Sequence, residues 1–184
     1  ETKMKQTLLI ILLLFLSVGF SQQEYNGNDL IEMDNGLYTV KFSDEPISGK
    51  VYGYFGEVKP YKKVYMGNIR DGKKEGKWVA YYHKSGKKVY EETYKDGEWD
   101  GLGIMWYENG QKEFEGTYKN GKMDGKYTSW HKNGQKADEG TYKDGKEEGL
   151  WTAWYENGQK ELEGIFKDGE VIEASAWDED GNMK

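Results

Sequence analysis

Hydrophobic positions fall into two regimes along the chain. The first is a single continuous apolar run from Leu8 to Phe20. Beyond it, apolar residues come in short segments, with a glycine-bearing turn every 10 to 13 residues. That spacing leaves room for strands of about seven or eight residues, near 25 Å long. No stretch after the first run offers a clean helical period.

The short segments repeat. Asp-Gly or Asn-Gly recurs with glycines at Gly72, Gly97, Gly121, Gly145 and Gly169, and the last three intervals are each 24 residues. A second series, Gly86, Gly110, Gly134 and Gly158, keeps the same 24-residue step. Near-identical stretches run from Trp106 to Lys112, Trp130 to Lys136 and Trp154 to Lys160. The copy at Tyr81 to Gly86 is one residue longer, and the last half-copy, ending at Gly181, is one shorter. Tyr61 to Gly72 matches Gly86 to Gly97, so a degenerate copy begins near Ser48-Gly49. The chain divides into a leader or cap over 22–47 and a repeat array over 48–184. The expected fold is all-β: an extended antiparallel β-meander of about ten strands, built from ~24-residue β-hairpin repeats that contact mainly their neighbours.

Register follows from the turns. Asn-Gly between aromatic-rich segments predicts a two-residue type I′ hairpin turn, with positive φ at both residues. The second connection, Asp144 to Gly149, reads as the longer one. With Asn157-Gly158 as the tight turn, Tyr155 faces Lys160, Ala153 faces Leu162, and Trp151 lies across Gly164 on one side of the sheet. Leu150, Thr152, Trp154, Glu161, Glu163 and Ile165 take the other side. Trp106, Trp130 and Trp154 form a ladder on that side. Trp151 and Tyr127 head a second ladder on the opposite side, beside Phe166, Tyr142 and Tyr118. Copies two strand spacings apart, about 9.5 Å, meet through an intervening residue rather than by ring stacking.

Composition sharpens this. After residue 21 there are 26 aromatics against 18 Ile, Leu and Val, with 25 glycines and two prolines in the whole chain. An aliphatic helical or α/β core does not fit those numbers. Met4-Lys5, the apolar run of 13 residues and Ser21-Gln22-Gln23 have the layout of a signal peptide, cut after Ser21, with residues 1–3 upstream of the initiator. The run is short for a membrane span. No cysteine follows it for a lipid anchor. The expected address is secreted, periplasmic or cell-envelope. Without residues 1–21 the chain has 24 basic and 32 acidic residues, a charge of −8. Such a surface excludes nucleic acid as a partner and disfavours anionic lipid.

The segment Phe114-Glu115-Gly116-Thr117-Tyr118-Lys119-Asn120-Gly121-Lys122-Met123-Asp124-Gly125 resembles the MORN repeat (membrane occupation and recognition nexus). Trp106-Tyr107-Glu108-Asn109-Gly110-Gln111-Lys112 is similar to its bacterial variant, whose members are often described as antitoxin-family proteins. The resemblance covers roughly residues 48–181. It implies a hairpin array serving as a scaffold or binding surface, and no enzyme. The terminal Gly-x-Gly of the pattern survives only at Gly101-Leu102-Gly103; Trp78, Tyr127 and Trp151 stand there in other copies.

Candidate chemistry is sparse. His83 and His131 are the only histidines and cysteine is absent, so no usual nitrogen or sulfur metal site is expected. His131 occupies the position of Tyr107 and Tyr155 and reads as a packing substitute. Glu115, Glu139 and Glu163 read as a solvated ladder beside Lys112, Lys136 and Lys160 rather than as paired catalytic carboxylates. The Asp-Gly-Lys turns lack the alternating acids of a calcium loop. No catalytic, metal or cofactor residue is expected. The candidate interaction surface is Trp106, Trp130, Trp154, Glu115, Glu139 and Glu163. The expected function is an exported, non-catalytic protein-interaction module. The alternatives are a glycan- or cell-wall-binding aromatic array, and an antitoxin or immunity-type inhibitor of a basic toxin.

Overall fold

The computed structural model describes residues 23–41, 43–55, 62–82 and 84–184. The apolar run and its cleavage site lie outside the described residues. The strands are β1 (Glu24–Asn26), β2 (Leu30–Glu32), β3 (Tyr38–Val40), β4 (Gly49–Phe55), β5 (Lys62–Arg70), β6 (Lys73–Tyr81), β7 (Lys88–Lys95), β8 (Glu98–Trp99), β9 (Gly101–Trp106), β10 (Lys112–Lys119), β11 (Lys122–Trp130), β12 (Lys136–Lys143), β13 (Lys146–Trp154), β14 (Lys160–Lys167) and β15 (Glu170–Ala176). One 3-10 turn, Gly27–Asp29, joins β1 to β2. No α-helix occurs among the described residues.

The fold is the expected all-β meander. From β4 to β15 the strands pair in chain order, with β8 a short rung on β7. β1 adds to β4 in parallel, and β2–β3 form a separate hairpin. The leader lies on the array's first strands. Ile47, Val51, Ile69, Trp78 and Tyr94 form the buried core, with Tyr25, Leu30, Tyr38, Val40, Met66 and Trp99 packed on it. Beyond Tyr94 no hydrophobic side chain among the described residues is buried. From there the sheet is one layer with both faces partly open.

The two kinds of turn exchange the roles expected of them. Asp144 and Gly145 have φ of 51° and 85°, and Lys143 pairs with Lys146 across them. The Asp-Gly turn is therefore the tight two-residue one, and Asp71, Asp96, Asn120 and Asp168 share its positive φ. At the other edge Gly158 N–H donates to Tyr155 O at 2.9 Å, and Tyr155 N–H to Gln159 O at 2.9 Å. Only Gly158 of that loop is left-handed, so this is a three-residue loop with a glycine bulge. The Asn157 side chain explains the difference. Its Oδ1 accepts from Gln159 N–H at 2.9 Å, and its Nδ2 donates to Glu179 O at 2.8 Å.

A second correction concerns register. Ala153 pairs with Leu162 and Trp151 with Gly164, as expected. Lys160, however, pairs with Trp154 rather than Tyr155, because the ladder slips between Ala153 and Trp154. Glu161 is the extra residue. The slip moves Lys160 onto the Trp154 face.

The indole of Trp151 lies over a glycine, but over Gly140 of the preceding strand, not Gly164. A Cβ on Gly140 would stand 2.2 Å from that ring, whose Nε1–H donates to Thr141 O at 3.2 Å. Trp78 repeats the arrangement over Gly67, with Nε1–H on Asn68 O at 3.0 Å. Where the aromatic position holds Gly103, the glycine position holds Glu92. The missing side chain at Gly140 also lets successive copies touch directly: Tyr127 and Trp151 stack with centroids 5.7 Å apart. This departs from the expectation of contact only through an intervening residue.

Gly140→Ala is expected to cost about 1–3 kcal/mol, since it overpacks a rigid indole. Urea unfolding would show it. The cost should shrink when Trp151→Gly is added, because the ring that the added Cβ would meet is then gone.

Candidate binding surface

Bulges recur at Val89, Glu113, Ala137 and Glu161, one in each hairpin. Each brings a lysine onto the tryptophan face. The result is a row in which lysine and tryptophan alternate across the sheet. Lys88 Nζ lies 5.3 Å from the Trp106 ring, Lys112 5.4 Å from Trp130, Lys136 5.6 Å from Trp154, and Lys160 5.7 Å from Trp177. Between copies, Trp106 pairs with Lys112, Trp130 with Lys136, and Trp154 with Lys160. The residue that separates successive tryptophans is thus a cation held over the next ring.

Each lysine also meets a carboxylate three residues on. Lys112–Glu115, Lys136–Glu139 and Lys160–Glu163 are each 2.5 Å apart. The six candidate residues therefore share one face, joined in rungs of Trp, Lys and Glu. The three glutamates are 35–49% exposed, so their ion pairs contribute little stability. Trp106, Trp130 and Trp154 are half-buried, unlike Trp78 at 3% exposure.

Glu91 begins the row and differs from the rest. It meets Lys77 at 2.6 Å and Lys88 at 2.7 Å, with its side chain 15% exposed. Hydrogen bonds from Lys77, then Lys88, hold its carboxyl below the ordinary glutamate range. A lowered folded-state pKa contributes stability above that range, and the contribution is lost as pH falls through it.

The rungs are stitched along both sheet edges. Tyr82, Tyr107 and Tyr155 donate their hydroxyls to the carbonyls of Trp106, Trp130 and Trp177, at 3.1, 2.9 and 2.9 Å. His131 Nε2 makes the equivalent contact to Trp154 O at 2.7 Å, as a tyrosine substitute would. Asn109, Asn133 and Asn157 donate to Lys132, Glu156 and Glu179 carbonyls one copy on. At the opposite edge, Asp124 accepts from Asp144 N–H at 3.2 Å and Glu148 from Asp168 N–H at 3.1 Å. These acids, which follow the Asn120-Gly121-Lys122 and Asp144-Gly145-Lys146 turns, serve the next turn. His83 lies outside the described residues. No group of three metal-ligating side chains occurs among the described residues, and no helix there is long and apolar enough to cross a membrane.

The repeating unit matches a known one. Residues 99–120, 123–144 and 147–168 match the MORN repeat variant. The MORN-type match identifies a repeat-based binding module. The matched copies contain Trp106, Trp130 and Trp154 as well as Glu115, Glu139 and Glu163. No curated protein matches the chain.

The opposite face escaped the sequence reading as a candidate surface. There Phe114, Tyr127, Tyr142, Trp151 and Phe166 form a continuous aromatic row, with neighbouring centroids 4.9–6.3 Å apart. Burial, with the Glu147 carboxylate beside it, pushes the Tyr142 hydroxyl up to about 12. Trp99 continues the row toward the core, 4.6 Å from Tyr118. The signal for this face was present in the sequence as aromatics spaced by glycines.

Trp130→Ala should cost about 1–2 kcal/mol, for a half-buried ring and one cation contact. Trp78→Ala in the core should cost about 3–5 kcal/mol. Thermal melts of the two variants would separate them; equal losses would mean that the exposed row is as structural as the core. Glu91→Gln should flatten the acid limb of stability against pH, measured by urea unfolding between neutral pH and the acid transition.

Proposed function

We propose that the chain is an exported, non-catalytic docking platform whose MORN-type array holds a protein partner. The observation that carries this is the asymmetry of the sheet. Its leader covers the first strands, whereas β10–β15 expose regular rows on both faces with no covering layer among the described residues. The Trp106, Trp130 and Trp154 rungs, with Glu115, Glu139 and Glu163, offer an extended charged surface of fixed spacing. Aromatic residues on such surfaces anchor protein contacts.

The glycan alternative has less support, because each tryptophan of the row already carries a lysine ammonium from its own sheet. The inhibitor alternative is a special case of the docking reading. The chain's net charge of −7 favours a basic partner. Affinity capture from an envelope fraction and the culture medium, with the captured partner identified and rebound in purified form, tests the proposal. A purified protein partner whose binding weakens on Glu139→Lys supports the charged face. Retention on polysaccharide with no protein bound would overturn the reading. Intact mass of the exported chain, starting at Gln22, would show the signal peptide removed.

A further inference from the structure

We infer that a groove near the end of the aromatic face receives a lysine or arginine side chain from the partner. This rests on the docking reading above and names the chemistry of one contact. The groove has a volume of about 450 Å³ and is lined by Asp138, Glu147, Trp151, Leu162, Phe166 and Lys184, among others.

The first copy shows what this framework holds when it is filled. The second residue after each tight turn faces the aromatic row, and in that copy it is Lys74. Its Nζ stands 4.8 Å from the Tyr94 ring, 5.1 Å from Trp78 and 5.8 Å from Tyr38 of the leader. It is also 3.4 Å from the Tyr94 hydroxyl. An ammonium of the chain itself thus occupies an aromatic cage.

The same position then changes character. It is Trp99 and Met123 in the next two copies, apolar side chains that close against Tyr118 and Gly116. In the fourth copy it is Glu147. Trp151 stands where Trp78 stood, and Phe166 where Tyr94 stood. The rings are retained, the cation is replaced by a carboxylate, and the described leader residues pack on the core of the first strands instead. Asp138, which accepts from Ser129 Oγ at 2.7 Å, adds a second carboxylate. Lys184, which also lines the groove, has its Nζ 3.3 Å from the Tyr155 hydroxyl. Glu161 lines the groove as well, so rings with three carboxylates and open space fit a cation supplied from outside.

The test uses the full chain and a fluorescein-labelled peptide of alternating lysine and serine, read by anisotropy. Glu147→Lys restores the residue of the first copy and should weaken binding by about tenfold or more. Glu173→Lys makes the same change of charge at an exposed position paired with Ile165 on the opposite face, outside both surfaces, and should change binding less than about twofold. Glu147→Gln gives the same comparison if the lysine variant fails to fold. Equal weakening by Glu147→Lys and Glu173→Lys would show attraction to net charge alone and overturn the inference. So would unchanged binding by the Glu147 variants. A purified protein partner that still binds Glu147→Lys at full strength would sink the groove while leaving the docking platform intact.

Discussion

The reach from each copy to the next, about one repeat along the chain, is the interaction on which the rest depends. A one-layer sheet has no second layer against which to bury its faces. Past Tyr94 the chain has no buried hydrophobic side chain among the described residues. Order is kept instead by ladder hydrogen bonds and by side chains that bond to the backbone of the neighbouring copy. Tyr107 on Trp130 O and Asn133 on Glu156 O do this at one edge, and Glu148 on Asp168 N–H at the other. These contacts set the strand-to-strand geometry that aligns both aromatic rows.

Much of this was legible in the sequence, because a fixed period fixes what stands beside what. The 24-residue step placed Trp106, Trp130 and Trp154 on one face and Tyr127 and Trp151 on the other. It also made His131 a stand-in for tyrosine, and the structure gives it the tyrosine's hydrogen bond. What the pattern did not reveal was local. One bulge residue per hairpin, such as Glu161, is invisible to a strict alternation of faces, yet it carries Lys160 across the sheet. The Asn-Gly pair suggested a tight turn, but the Asn157 side chain bonds to its own loop and to the next one, and the residue keeps negative φ.

The candidate surface was half visible for the same reason. Its tryptophans and glutamates were found by period, and their lysine partners were seen only as neighbouring charge. The cage around Lys74 requires the leader's Tyr38, which has no counterpart in the repeat, so no periodic argument reaches it. The match to the MORN repeat variant spans the three most regular copies and leaves the leader and the first copy outside it. Regularity defines the scaffold. The departures from it, at Lys74, Gly103 and Glu147, distinguish one copy's surface from another's.

The edge contacts also have a direction. At the tight-turn edge, each new turn finds its acceptor in the copy before it: Gly145 N–H on Met123 O, and Gly169 N–H on Glu147 O. The amino-terminal copy is the one joined to the leader's core. Every later copy docks its tight turn on the copy before it, so the array has a built-in polarity from one end to the other. The leader begins that series, since Ile47 O accepts from Gly72 N–H of the first tight turn at 2.8 Å.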